Sequence, residues 1–207
     1  MKETDIKDDL ASIRNLMERS SKFISLSGLS GVLAGVYALI GSAAAYQFLN
    51  YGSFDHSDTN VHLIVDSSII LTLIVIAVVV LVASVLTGII LSLKKSQKSG
   101  QPFWSKTSKA LLFHMATPLV AGGLLMIIFI LRGYYGIVGP TSLIFYGLAL
   151  VGASNFTFTA VRSLGICEIV LGLISALYPG YGLYFWALGF GVLHIIYGSV
   201  MYLKYDR

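Results

Sequence analysis

The chain has 207 residues, of which 56% are hydrophobic and 12% charged, with a mean hydropathy of +0.82 and a formal net charge of +4. Soluble domains carry about 25% charged residues. Half that share leaves too little polar surface to cover a globule in water, which excludes a water-soluble fold and any sizeable domain outside a membrane. The basic balance does not point to nucleic acid, because the cations sit in short segments between long apolar runs rather than in one patch.

Residues 1–21 form the one long polar segment. Ile6, Leu10, Ile13, Leu16 and Met17 recur at helical spacing with charges between them. That pattern predicts an amphipathic helix lying on the cytoplasmic membrane surface, apolar side down, with pairing to a partner helix as the alternative. No apolar stretch directly follows a short basic start, so the segment does not read as a cleavable signal peptide. Residues 22–207 then read as an all-α bundle of six transmembrane helices.

The first span, Phe23 to Phe48, carries Gly28, Gly31 and Gly35 along one side, with Ser27, Ala34, Ala38 and Ser42 beside them. Small residues at this spacing let helix backbones approach closely. The face predicts a helix central to the bundle, with a homo-oligomer interface through the first helix as the alternative. The loop that follows gathers Asp55, His56, Asp58, His62 and Asp66. Oxygen and imidazole donors at that density are a candidate cation site on the outer face. A solvated acidic loop is the plainer reading.

The second span, Leu63 to Leu93, has no charged residue from Ser67 onward and stops at Lys94-Lys95. About 20 apolar residues cross a bilayer core, so this helix spans with length to spare. Its uniform Ile, Leu and Val character predicts a lipid-facing wall. The third span, Leu111 to Leu131, contains Pro118 followed by Gly122-Gly123, which predicts a kink beside His114. The fourth runs from Ile137 to Ala160. The fifth, Leu164 to Pro179, ends at Pro179-Gly180, and the sixth runs from Tyr184 to Leu203.

Orientation follows from Lys and Arg in the short loops. With the N-terminus inside, thirteen of the 14 lysines and arginines fall on the cytoplasmic side, and only Arg132 falls outside. Both termini are then cytoplasmic, with anionic lipid as the partner of the basic face. Tyr134, Tyr135, Tyr178, Tyr181, Tyr184 and Trp186 at the outer ends form an interfacial belt, as Phe103, Trp104, Tyr202 and Tyr205 do at the inner ends.

Gly28 to Gly35 aligns with Gly165 to Gly172, which raises the question of a repeat of hairpin 1–2 in hairpin 5–6. The segment Gly165-Ile-Cys-Glu-Ile-Val-Leu-Gly-Leu-Ile-Ser-Ala-Leu-Tyr-Pro179 has a leading Gly, a second Gly seven residues on and a closing Pro. Over about 40 residues, Gly165 to Lys204, it resembles the hairpin of HdeD-type acid-resistance membrane proteins. The resemblance implies a small six-helix protein of the bacterial inner membrane and brings no chemistry with it.

Three ionisable groups inside the membrane stand out: His114, Glu168 and His194. Charges in lipid are costly unless paired. Counted from the inner ends at about 1.5 Å per residue, His114 and Glu168 lie roughly 6 to 8 Å deep and His194 roughly 14 Å. Side chains from three helices would then meet in the cytoplasmic half. A carboxylate with two imidazoles suits a proton relay, a buried ion pair, a structural hydrogen-bond cluster, or a divalent metal or haem. Cys167, the one cysteine, reads as an inert buried thiol. No nucleophile triad, phosphate loop or paired catalytic carboxylates occur, so an enzyme is not expected, and no cofactor is assigned. The reading is small-solute or proton transport or sensing, with a membrane interaction or stress-structural module, and a metal- or haem-binding protein, as alternatives.

Overall fold

The structure is a computed structural model that describes residues 27–52, 67–100 and 104–206. The amphipathic segment 1–21 and the loop acids and histidines Asp55, His56, Asp58, His62 and Asp66 lie outside the described residues. Among those described, the chain is all-α, with no strands and six helices long and apolar enough to cross a membrane. It is a multi-pass membrane protein.

The helices are α1 (Gly28–Gly52), α2 (Ser67–Ser99), α3 (Lys106–Leu131), α4 (Val138–Ala153), α5 (Thr159–Leu177) and α6, which spans Gly182–Tyr205. Single 3-10 turns, Tyr135–Ile137 and Ser154–Phe156, extend α4 at both ends. Ser105 caps α3 through a reciprocal box with Ser108, whose backbone N–H it accepts at 3.1 Å. Gly180, at φ +91°, makes the turn from α5 to α6 in a conformation that glycine adopts at no steric cost.

In lipid, greasy faces give no drive for helices to associate, so close backbone approach decides the neighbours. Gly28, Gly31 and Gly35 of α1 face Gly191 and Gly198 of α6. A methyl at Gly35 would stand 2.6 Å from the Gly191 carbonyl, and one at Gly198 would stand 2.5 Å from the Val32 nitrogen. The glycine face of α1 is therefore filled within the chain. A second seam joins α4 to α5, where a methyl at Gly147 would meet the Gly165 carbonyl at 2.6 Å, and one at Gly165 the Gly147 carbonyl at 2.7 Å. The glycines of α1 and α5 that align in sequence thus serve different partners, α6 and α4. Helix α2 packs on α1, where Gly41 receives Val80 and the Tyr37 hydroxyl meets Thr87 Oγ1 at 3.3 Å. None of its most apolar stretch is buried, and its 33 residues reach about 50 Å. Helix α3 packs on α4, with the Phe145 ring seated on Gly122.

Helix α3 runs unbroken through Pro118. The interruption falls in α6, which begins as α-helix at Gly182–Trp186 and widens to a π-helix over Ala187–Leu193. It returns to α-helix at His194–Met201 and ends in a second π turn, Tyr202–Asp206. π-Helical turns inside α-helices are rare and concentrate at functional sites.

Candidate functional site: a carboxyl, an imidazole and a phenol at mid-membrane

Glu168 stands nine residues from either end of α5, His194 near the middle of the α6 span, and Tyr146 near the middle of the α4 span. At about 1.5 Å per residue each is roughly 13 to 18 Å from the helix ends, near the centre of a core about 30 Å thick. Glu168 is thus deeper than expected. Helix α5 starts at Thr159, because Phe158 in extended conformation turns the chain there, whereas the apolar run alone suggested a start at Leu164.

The three side chains meet. The Tyr146 hydroxyl lies 2.8 Å from His194 Nε2, and His194 Nδ1 lies 3.0 Å from the Gly189 carbonyl. A carbonyl only accepts, so Nδ1 carries the ring proton and Nε2 accepts from the tyrosine. Gly189 belongs to the π-helical stretch, and its carbonyl is turned to a ring five residues on. Glu168 Oε1 stands 3.4 Å from the same Nδ1. The carboxyl is fully buried, at 0% exposure, and His194 is buried at 7%. Neither Glu168 oxygen accepts a hydrogen bond among the described residues.

A glycine makes room for the acid. A methyl at Gly189 would stand 2.5 Å from Glu168 Oε2 and 2.6 Å from Leu143 Cδ2. Around the cluster, Phe190 lies 5.0 Å from the Tyr146 ring and 6.0 Å from the His194 ring, and Trp186 lies 5.1 Å from Phe190. This aromatic wall keeps the surroundings apolar. An ionised carboxylate there needs donors or an opposite charge, and among the described residues the charge partner within ion-pair distance is the His194 ring in its protonated form. The pair therefore has two neutral arrangements, acid with imidazole or carboxylate with imidazolium. Gain or loss of one proton changes its net charge by one.

His114 does not join this cluster. It is exposed on α3, with its ring 5.0 Å from Phe156 and its backbone against Gly152 of α4. A haem held between His114 and His194 has no geometric basis, since His194 Nε2 is engaged by Tyr146 and His114 points elsewhere. Among the described residues no group of three or more His, Cys, Asp or Glu comes together as a tetrahedral metal site requires. Cys167 lies 3.7 Å from the Tyr197 hydroxyl, outside the cluster.

Sequence reasoning missed Tyr146 and Gly189. Tyrosine in a membrane protein reads first as an interfacial residue, but Tyr146 lies eleven residues inside its span, and that depth is the signal that marks it. Gly189 is one of several glycines in α6, and nothing local separates it from the packing glycines.

Fold and cluster define a multi-pass α-helical membrane protein with a buried carboxyl–imidazole–phenol group at mid-membrane. Set beside known proteins, the chain matches no family model, no curated protein and no solved structure.

Proposed function

We propose that this protein is a non-enzymatic membrane protein that moves or senses protons, alone or with a small solute, and that the Glu168–His194 pair is where the proton binds. One observation carries the reading: a fully buried carboxyl at mid-membrane, 3.4 Å from an imidazole. Ionisable groups at that depth mark substrate and proton paths in membrane proteins. Histidine is the side chain whose ordinary titration falls in the physiological range. Tyr146 and the Gly189 carbonyl hold the ring, so that one nitrogen faces the acid.

The same reading places the protein in a bacterial inner membrane with the lysine-rich face in the cytoplasm. The Lys and Arg asymmetry supports the orientation, and the resemblance of hairpin 5–6 to HdeD-type proteins supports the bacterial inner membrane. On that face Lys95 lies 5.7 Å over the Phe158 ring and Lys204 lies 5.3 Å over Tyr205, at the level where anionic headgroups attract basic side chains.

The test is proton flux into sealed vesicles that contain the purified protein and an entrapped pH dye. After an imposed pH step, wild-type vesicles equilibrate faster than protein-free vesicles, and Glu168→Gln removes the difference. Equal rates for wild type, Glu168→Gln and empty vesicles over the accessible pH range would leave the pair a structural contact only.

A further inference from the structure

Both directions along α5 from Glu168 are closely packed, with Pro140, Thr141 and Leu143 of α4 buried towards Ser175, but they differ in one polar group. Towards the lysine-rich face the bundle closes on Leu150, Val161, Leu164 and Met201, which form one buried apolar cluster. Phe158 and Tyr205 stack below it at 4.1 Å. No buried hydroxyl without a partner lies in that half among the described residues.

The opposite direction holds a polar group with nothing to bond. Ser175 lies seven residues from Glu168, which places the two about 20° apart on the same face of α5, since a helix turns about 100° per residue. Gly172 lies between them. Ser175 is buried at 2% exposure, and its hydroxyl has no hydrogen-bond partner among the described residues. Other hydroxyls within the spans satisfy themselves locally: Ser42 bonds to the Ala38 carbonyl at 2.8 Å and Thr141 to the Ile137 carbonyl at 2.7 Å. Ser175 does not. A buried polar group left unmade carries a free-energy cost and calls for an explanation. Its position, two residues from the end of α5 and in line with a carboxyl that likewise accepts no hydrogen bond, supplies one.

We propose that Glu168 exchanges its proton with the aqueous phase only at the end of the bundle that carries Tyr181, along the face of α5 that holds Gly172 and Ser175. This rests on the reading of Glu168 as the proton site and adds the side of access and a residue on the path. The axial gap between Ser175 and Glu168 is about 10 Å; Gly172 lies within it, packed against Ile144 and the Pro140 carbonyl of α4, so the roughly three water molecules that would bridge it at ~2.8 Å per step enter only when α4 and α5 part at that contact. In each transfer the Ser175 hydroxyl oxygen takes a proton from the aqueous side and releases its own towards Glu168. The hydroxyl ends unchanged, and the acid gains one proton. The titratable groups packed on Glu168 are His194 of α6 and Tyr146 of α4, while Tyr37 of α1 turns to Thr87 of α2.

The test is sided chemical labelling, which needs no flux. In a Cys167→Ala background, Ser175→Cys and Leu164→Cys are compared in sealed vesicles treated with a membrane-impermeant thiosulfonate. Tyr181→Cys and Lys204→Cys, both at exposed positions, mark the two faces. The expected result is that Ser175→Cys reacts from the Tyr181 side at least tenfold faster than Leu164→Cys reacts from either side. Reaction of Ser175→Cys from the Lys204 side, or a rate no greater than that of Leu164→Cys, overturns the proposal. If flux depends on Glu168 but labelling fails, the proton site stands and the path is wrong. If labelling succeeds without flux, the path stands and the transport reading fails.

Discussion

A single methyl at Gly198 tests whether glycine contact, rather than apolar matching, holds α1 to α6. A Cβ there would stand 2.5 Å from the Val32 nitrogen, 2.8 Å from the Gly31 carbonyl carbon and 2.9 Å from the Gly28 carbonyl oxygen. These are backbone atoms and have no rotamer to escape into. Restoring ordinary contact at about 3.5 Å means parting the helices by about 1 Å, and a gap of that size forfeits roughly a quarter to a half of each affected attraction. Gly198→Ala should therefore destabilise by about 1–3 kcal/mol, the usual cost of overpacking. Gly88→Ala in α2 is the control, because nothing lies within 4 Å of the added carbon. There the gain in helix propensity leaves stability unchanged or raises it by up to ~1 kcal/mol. Equilibrium unfolding in bicelles, read by steric trapping, measures both. Gly198→Ala within ~0.5 kcal/mol of wild type, or Gly88→Ala as damaging as Gly198→Ala, would refute the reasoning.

Other outcomes follow from the cluster. Tyr146→Phe keeps the ring against Phe190 but removes the 2.8 Å hydrogen bond; leaving His194 Nε2 buried and unpaired should cost about 1–3 kcal/mol in the same assay. His194→Ala removes the acid's ion-pair neighbour and opens a void, so a loss of about 3–5 kcal/mol is expected, well above that of Glu168→Gln, which keeps the shape. Gly189→Ala puts a methyl 2.5 Å from Glu168 Oε2 and 2.6 Å from Leu143; vesicle proton flux should fall several-fold with the protein still folded by circular dichroism. His114→Ala, at an exposed position against Phe156, should leave that flux unchanged and cost less than ~1 kcal/mol.

How much of this was legible beforehand follows from the solvent. Backbone groups in lipid must be satisfied within each helix, so uninterrupted apolar runs locate the six spans, and α2 announces itself through Ser67 to Leu93. Who packs on whom is harder to read. Lipid is as apolar as a neighbouring helix, so no greasy stripe marks a buried face, and only the glycines carry the information. They mark Gly28, Gly31 and Gly35 as a close-contact face without saying that Gly191 and Gly198 fill it. Pro118 drew attention as a kink point, but a proline removes one helical donor without ending the helix, and α3 continues through it. The π-helix at Ala187–Leu193 has no such marker. Glu168 and His194 stood out because ionisable groups are rare in lipid, whereas their meeting depended on a start of α5 five residues earlier than the apolar run indicated.

The central claim, that Glu168 binds and releases a proton at mid-membrane beside His194, is tested most directly by infrared difference spectroscopy of the protein in lipid, recorded between acidic and alkaline buffer. The account predicts a protonated-carboxyl C=O band that changes with pH, disappears in Glu168→Gln and shifts in Tyr146→Phe and His194→Gln as the neighbouring ring is loosened. A difference spectrum with no such band, or one that Glu168→Gln leaves intact, would contradict it.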